Sequence, residues 1–268
     1  MYTFTMPARW TKQQEYQKRD ELEFLYVKKN LTIAQVGKKL GISSSTVYDR
    51  LLRLNIKSIR DKKLRYNNQR NDICIPTFYT KELAEFIGIL LGDGSLTPTQ
   101  VTVTLGTKEQ NYAIYVAKLV QKIFGIKARI IENKYQHRVV YIGSVKAVRW
   151  LLTMGLAINK VKAQVDVPPW IFTKDDFMRA ALRGLIDTDG SIYRLRYGLQ
   201  IEFCNRSIPL LHSARRLFIE LGFHPSQASG SKVYLTNQKE IKRFVEILGF
   251  SNQKHSKRYK MLKIGCVA

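Results

Sequence analysis

FIGILLGDGSL at residues 86–96 and LRGLIDTDGSI at residues 182–192 carry one message twice: an apolar, helix-length run that stops at Asp-Gly-Ser. The correspondence extends outward from both. VTVTLGTKE (101–109) matches LQIEFCNRS (199–207), alternating strands that end in the polar pairs Thr107-Lys108 and Asn205-Arg206. KLVQKIFGI (118–126) matches RRLFIELGF (215–223), amphipathic helices stopped at Gly125 and Gly222. YIGSVKAVRWLLTMGL (141–156) matches YLTNQKEIKRFVEILGF (234–250), a strand followed by a helix, and the tails AINKVKA and SNQKHSK keep Lys160 and Lys254 in register. The repeat has a period of about 95 residues. Two copies joined through VPPWIFTKDDF (167–177) can pack about an approximate two-fold axis, the symmetry that a near-palindromic duplex also has.

Both leading helices carry small residues, Gly88 and Gly92 in the first and Ala181 and Gly184 in the second, so their backbones can approach closely. Gly94 and Gly190 are expected to take positive φ where the chain turns from helix into strand. With the helices side by side, Asp93 and Asp189 meet at two C-terminal ends. Two carboxylates facing the negative ends of two dipoles repel each other unless a cation lies between them, and Mg²⁺, which accepts one or two carboxylates and fills its sphere with water and phosphate oxygen, suits the place. A single Asp-Gly is an ordinary helix stop; its recurrence at matched positions in a strongly basic chain favours the metal-binding alternative.

Residues 182–190, LRGLIDTDG, resemble the LAGLIDADG motif of homing endonucleases with two substitutions, and GILLGDG (88–94) resembles a divergent form of it. The resemblance spans about residues 80–265. It implies an α+β fold of two pseudo-symmetric αββαββα halves forming a DNA-binding saddle, with antiparallel sheets in the major groove and the motif helices at the interface. It implies a divalent-metal site formed by Asp93, Asp189, Gly92 and Thr188, and a staggered double-strand cut across the minor groove. Mg²⁺ is the expected ion, with Mn²⁺ substituting and Ca²⁺ supporting binding without cleavage. The motif's earlier acid is Asp187 in the second copy and Leu91 in the first, a position that is mainly structural in the family. Lys160 and Lys254 match the basic groups placed around the reacting water, or are ordinary phosphate contacts; Thr107, Lys108, Asn205 and Arg206 are second choices for the catalytic shell.

Alternation along the strands gives candidate base-reading residues: Thr97, Gln100, Thr102, Thr104, Arg129, Lys134, Gln136 and Arg138 in the first half. The second half supplies Tyr193, Arg194, Arg196, Gln200, Glu202, Gln227, Lys232 and Tyr234.

Upstream, residues 11–29 read as one helix with Leu22, Leu25 and Tyr26 on an apolar stripe. Ile33, Val36 and Leu40 then share a face, Gly41 breaks the helix, and Ser43 to Ser45 offer caps for a second helix holding Val47 and Leu51. This resembles a helix-turn-helix, with Arg50 standing where an apolar residue is expected and Ser44, Ser45, Thr46, Tyr48, Asp49 and Arg53 as candidate groove or phosphate contacts. A small helical bundle packing on the catalytic unit is the competing reading. The basic run KSIRDKKLRYNNQR (57–70) marks a linker. The organisation expected is thus a helix-turn-helix domain over 1–58, a linker over 59–79, and halves over 80–165 and 166–268.

Lys and Arg number 45 against 21 Asp and Glu, a net charge of +24 spread along all 268 residues, so a polyanion is the expected partner. Apolar residues at 45% exclude a disordered chain. Three distant cysteines suggest neither a zinc site nor disulfides, which fits a reducing intracellular setting, and neither a signal peptide nor a membrane-length apolar run is visible. The leading expectation is a monomeric, site-specific DNA endonuclease needing no protein partner. A catalytically silent DNA-binding regulator and an RNA maturase remain as alternatives, and the absence of flanking protein-splicing motifs favours a self-standing or intron-encoded enzyme over an intein.

Overall fold

The computed structural model describes residues 10–29, 31–56 and 73–264. The chain forms two compact units, Met1–Asn67 and Asn68–Ala268.

In the first unit, α1 (Lys12–Gln17), α2 (Arg19–Glu23) and a π-helical turn (Phe24–Lys28) replace the single helix expected over 11–29. The widened turn, closed by Lys29 N donating to Phe24 O at 2.8 Å, sets Leu25 and Tyr26 into the same core as Leu22. α3 (Ile33–Leu40) opens with a capping box between Thr32 and Gln35 and ends at Gly41, the expected break, which takes φ +63°. α4 (Ser44–Arg53) is capped by Ser43 alone, whose hydroxyl accepts from Thr46 N at 3.1 Å. Val36, Val47, Leu51 and Ile56 complete the core.

The second unit holds both repeats. α5 (Lys81–Gly92), β1 (Gly94–Thr97), β2 (Gln100–Leu105), α6 (Gln110–Phe124), β3 (Arg129–Glu132), β4 (Arg138–Gly143) and α7 (Val145–Thr153) make a full αββαββα half with strand order β1-β2-β4-β3. A short α8 (Lys160–Ala163) and a 3₁₀ turn (Pro169–Thr173) lead to the second half. There α9 (Asp175–Asp189), β5 (Gly190–Leu195), β6 (Gly198–Cys204), α10 (Ile208–Glu220), β7 (Lys232–Leu235), α11 (Gln238–Ile247) and α12 (Gln253–Ile264) build a three-stranded sheet, β5-β6-β7. The expected fourth strand is missing because residues 224–231, HPSQASGS, contain Pro225 and the left-handed Gly230; Ser226 N reaches Tyr234 O at 2.7 Å and Ser229 forms an isolated bridge with Lys232, but no ladder follows. All strand pairs are antiparallel.

α5 and α9 pack side by side at the centre of one continuous core. A Cβ on Gly88 would overlap the Ala181 carbonyl oxygen and lie 3.1 Å from its carbon, and one on Gly184 would lie 2.9 Å from Ile89 N. The small residues are therefore there for backbone contact between helices, as the sequence indicates. Gly94 and Gly190 are glycine for a different reason from the one expected. Neither has positive φ (Gly190 has φ −90°), and a Cβ would strike the backbone of Leu90 or Ile186 one turn back in its own helix.

The expected linker needs a similar correction. Residues 57–72 lie outside the described residues, but 73–79 belong to the larger unit: Ile73 is buried in its core, Cys74 N donates to Phe124 O at 3.0 Å, and Tyr79 stacks on Trp170 at 4.2 Å.

Candidate active site and nucleic-acid face

The close helix pair brings the two motif C-termini together: a Cβ on Gly92 would overlap the Thr188 hydroxyl and lie 3.4 Å from the Asp189 carboxyl carbon. Asp93 and Asp189 are the residues that end these helices, where backbone dipoles already favour positive charge. Burial pushes the Asp93 carboxyl up to about 6, with the charges of Asp189 and Glu109 adding to the shift and Lys160 and Lys254 opposing it. Burial likewise raises Asp189, while a hydrogen bond from Asn205 Nδ2 at 2.6 Å and the charge of Lys160 hold it down.

Two carboxylates brought together at two helix C-termini repel each other, which a divalent cation held between them would relieve. No group of three or more His, Cys, Asp or Glu side chains suited to a metal occurs among the described residues. An ion held by the two aspartates would complete its sphere with water and phosphate oxygen, the mode that suits Mg²⁺. Gly92 and Thr188 fit a supporting role better than ligation. The Gly92 carbonyl accepts from Lys160 Nζ, and the Thr188 hydroxyl turns back to Gly184 O and Leu185 O at 2.9 and 3.1 Å.

Lys160 enters the site from α8 and also donates to Leu90 O and Leu91 O at 3.1 and 3.0 Å, capping the end of α5 with a real cation. Burial lowers its pKa, and the charges of Asp189 and Asp93 work against that. Lys254 does not repeat this arrangement despite its matched register. Its ammonium lies 3.2 Å from Glu109, and the end of α9 is met instead by Asn252 Nδ2 and His255 Nε2 on the Asp187 carbonyl, at 3.1 and 3.3 Å. Asp187 itself is fully buried and pushed up by burial to about 8, although Ser251 N donates to it at 2.8 Å. It ties the tail to the helix interface, the structural role expected of that position.

One cleft, about 200 Å³, is lined by Asp189, Lys160, Asn205 and Arg206; a second, about 560 Å³, is lined by Lys108, Lys257, Arg258 and the two groups whose charges act on Asp93, Glu109 and Lys254. Each combines a strand end from one half with the tail of the other. Of the second-choice residues, Asn205 touches Asp189, Lys108 and Arg206 stand exposed at the cleft walls, and Thr107 is exposed beside Lys108.

Strand register sorts the expected base-reading residues. Leu105 faces Arg138 and Val103 faces Val140 on the core side, so Thr97, Gln100, Thr102, Thr104 and Arg129 share the open face with Ser95, Ile131 and Tyr141. Arg138 is on the core-side face and pairs with Glu132, which removes it from the reading surface. Arg194 is likewise misplaced, registered with Leu199 and reaching the Leu262 carbonyl on α12. Tyr193, Gln200, Glu202, Lys232 and Tyr234 do share the open face of the second sheet. There Glu202 accepts from Tyr193 at 2.9 Å and pairs with Lys232 at 3.2 Å. Lys134 and Gln136 occupy the β3–β4 turn, Arg196 the β5–β6 turn and Gln227 the loop before β7; all four are exposed.

Sequence reasoning missed Glu109 and the buried pair Glu85–Arg183. Glu85, 2% exposed, receives Arg183 Nη2 at 2.5 Å, Tyr115 at 2.7 Å and Ser251 at 2.6 Å, joining α5, α6, α9 and the C-terminal tail. An acid flanked on both sides by apolar residues, Glu85 in LAEFIG, was the available signal.

In the first unit Ser44, Ser45, Tyr48, Asp49 and Arg53 are exposed on α4 and Thr46 is half-buried. Thr46 and Ser45 hydroxyls cluster on Ser43 at 2.7 and 2.8 Å, and Arg53 pairs with Glu15 at 2.8 Å. Arg50 fills its unexpected position by burying its guanidinium 3.5 Å over the Trp10 ring, beside Glu15.

Residues 176–249 match the model of the LAGLIDADG-like domain and residues 83–164 that of the WhiA LAGLIDADG-like domain. The replication factor C small subunit of Methanocaldococcus jannaschii is 24% identical over 254 residues, 89% of this chain and 14% of that one. An A-type ATP synthase protein of Pyrococcus abyssi is 25% identical over 187 residues, 68% of this chain and 17% of that one. The chain thus spans less than a fifth of the length of these relatives. I-DmoI, solved in complex with DNA and Mn, covers 64% of this chain with 98% of its own at 16% identity and a TM-score of 0.47.

Proposed function

Because the chain belongs to the LAGLIDADG family, with the two-half saddle fold, we propose that it is a divalent-metal-dependent endonuclease that cuts both strands of a long, near-palindromic DNA site. The observation that carries the reading is the meeting of Asp93 and Asp189, both half-buried and raised in pKa, at adjoining helix ends.

In this reading the pair holds Mg²⁺, or Mn²⁺ in its place, with Ca²⁺ supporting binding alone. The bound ion would supply Lewis-acid polarisation of water and stabilisation of the departing oxygen. The chain's own residues do the rest. Asn205 fixes the orientation of the Asp189 carboxylate, and Lys160 balances charge between the two acids while capping α5. Lys108 and Arg206 stand at the cleft walls where scissile phosphates would lie. The open sheet faces read base edges through side chains such as Gln100, Thr102, Arg129 and Tyr234, whereas Gln200, 6% exposed, is withdrawn from that surface, and the exposed α4 residues of the first unit bind a further stretch of duplex. Both halves reside in one chain, so a monomer suffices for a double-strand cut.

Similarity to a small fraction of two long proteins with unrelated names supports a mobile coding segment, since insertion into different genes leaves that pattern. One finding favours a second reading, DNA binding without cleavage: the first half matches the WhiA-type domain model and not the one that matches the second half. The deciding experiment is incubation with a randomised duplex library in Mg²⁺, with Ca²⁺ and the Asp189→Asn protein as controls, followed by sequencing of new ends. Recurrent staggered ends inside one long site, absent from both controls, are expected; specific capture without new ends would favour the second reading.

A further inference from the structure

Strand register puts Glu202 and Thr102 in equivalent places. Each faces the serine of its own Asp-Gly-Ser turn, Ser191 or Ser95, and on its other side a tyrosine of the next strand, Tyr234 or Tyr141. The sequence match sets Glu202 opposite Thr104 instead, because β5 has six residues where β1 has four. Among the described residues of the strands, Glu202 is the one carboxylate on either open face. A carboxylate there repels phosphate unless a cation offsets it, and it meets one. Lys232 Nζ lies 3.2 Å from Oε1 and donates to Oε2 at 3.3 Å, while the Tyr193 hydroxyl donates to Oε2 at 2.9 Å. The two donors fix the carboxylate, its side chain 14% exposed beside a lysine 43% exposed, and leave Oε1 able to accept again.

The major-groove edge of a G·C pair complements this arrangement: two acceptors, guanine N7 and O6, are followed by one donor, cytosine N4, at the end of the row. An acceptor and a cationic donor side by side fit that order, with Glu202 on cytosine N4 and Lys232 on guanine. In an A·T pair the donor, adenine N6, lies between two acceptors, so a carboxylate aimed at it meets an acceptor on each side. Thr102, whose hydroxyl both donates and accepts, imposes no such choice.

We propose that Glu202, held by Tyr193 and Lys232, selects one G·C pair in the half-site under the second sheet, and that the equivalent position of the other half-site is free of that demand. The near-palindrome is thus broken at this position. The inference rests on the DNA-reading part of the proposed function and not on cleavage.

The test is selection of binding sites from a randomised duplex library by the full chain in Ca²⁺, sequenced for wild type, Glu202→Gln, Lys232→Met and Thr102→Val, with melting curves to verify folding. Wild type is expected to require G·C at one position of one half-site, with A·T or the inverted C·G pair disfavoured on the order of tenfold. In Glu202→Gln the new carbonyl can accept from adenine N6 while the amide donates to N7. That variant should move the preference at this position to A·T and leave the other positions within about twofold. Lys232→Met should relax the position without favouring A·T, and Thr102→Val should alter the other half-site only. A Glu202→Gln profile identical to wild type, or one weakened evenly at every position, would overturn the inference and make the cluster an internal ion pair. A wild type that selects a site yet never cuts it in Mg²⁺ would overturn the endonuclease reading alone; selection of no site at all would overturn both.

Discussion

Gly184→Ala places a methyl group where α5 and α9 touch. The new Cβ would overlap the Glu85 carbonyl oxygen and stand 2.9 Å from Ile89 N, against 3.4–4 Å for ordinary contact. These obstacles are backbone atoms, so no rotamer change relieves them and the helices must move apart. Overpacking of this kind costs about 3 kcal/mol, and the better helix propensity of alanine returns about 1, leaving about 2 kcal/mol of net destabilisation. For a unit of this size that corresponds to a drop of about 4–8 °C in the melting temperature of the larger unit, read by differential scanning calorimetry. Spreading the helices also draws Asp93 away from Asp189, so DNA cutting should fall more than folding does at 25 °C. A variant that melts at or above wild type would refute backbone-to-backbone packing at this point, since only the propensity gain would remain.

Arg183→Met leaves the buried Glu85 carboxylate with two hydroxyl donors, Tyr115 and Ser251, and should cost roughly 3–5 kcal/mol in urea unfolding, part of which adding Glu85→Gln restores. Burial holds His255 down to about 4 from 6.5, so in that pH window the unfolded chain takes up a proton that the folded chain refuses. Stability is full above the window and falls as pH drops through it, by up to about 3 kcal/mol, and His255→Gln should flatten that part of the pH–stability curve.

The repeat made most of the larger unit legible, because two copies of one hydrophobic pattern constrain each other in a way that one copy does not. The adjacency of Asp93 and Asp189 followed from it, as did the helix pair and the open sheet face that carries Thr102. The errors share a physical origin in tertiary contact. Alternation counted from Thr104 does not reveal that the chain turns through residues 133–137 and returns with Arg138 on the core side. The missing fourth strand is the exception, a local effect of Pro225 and Gly230, which the first half lacks at the matched positions. Gly94 and Gly190 were explained by a turn conformation when the constraint is crowding against the preceding helical turn. Glu109, Asn252 and the Lys254 ion pair depend on residues more than 140 positions apart meeting at one helix end, which no local pattern encodes.

The central claim is that Asp93 and Asp189 cut DNA jointly and are not the remnant of a cutting site. Its most direct measurement sets cleavage beside duplex binding for wild type, Asp93→Asn and Asp189→Asn on the same recovered site in Mg²⁺. The account predicts that either substitution abolishes double-strand cutting while duplex affinity stays within about threefold, because neither residue lies on a base-reading face. Double-strand cutting by either variant at the wild-type rate, or no cutting by wild type on a site it binds specifically, would contradict it.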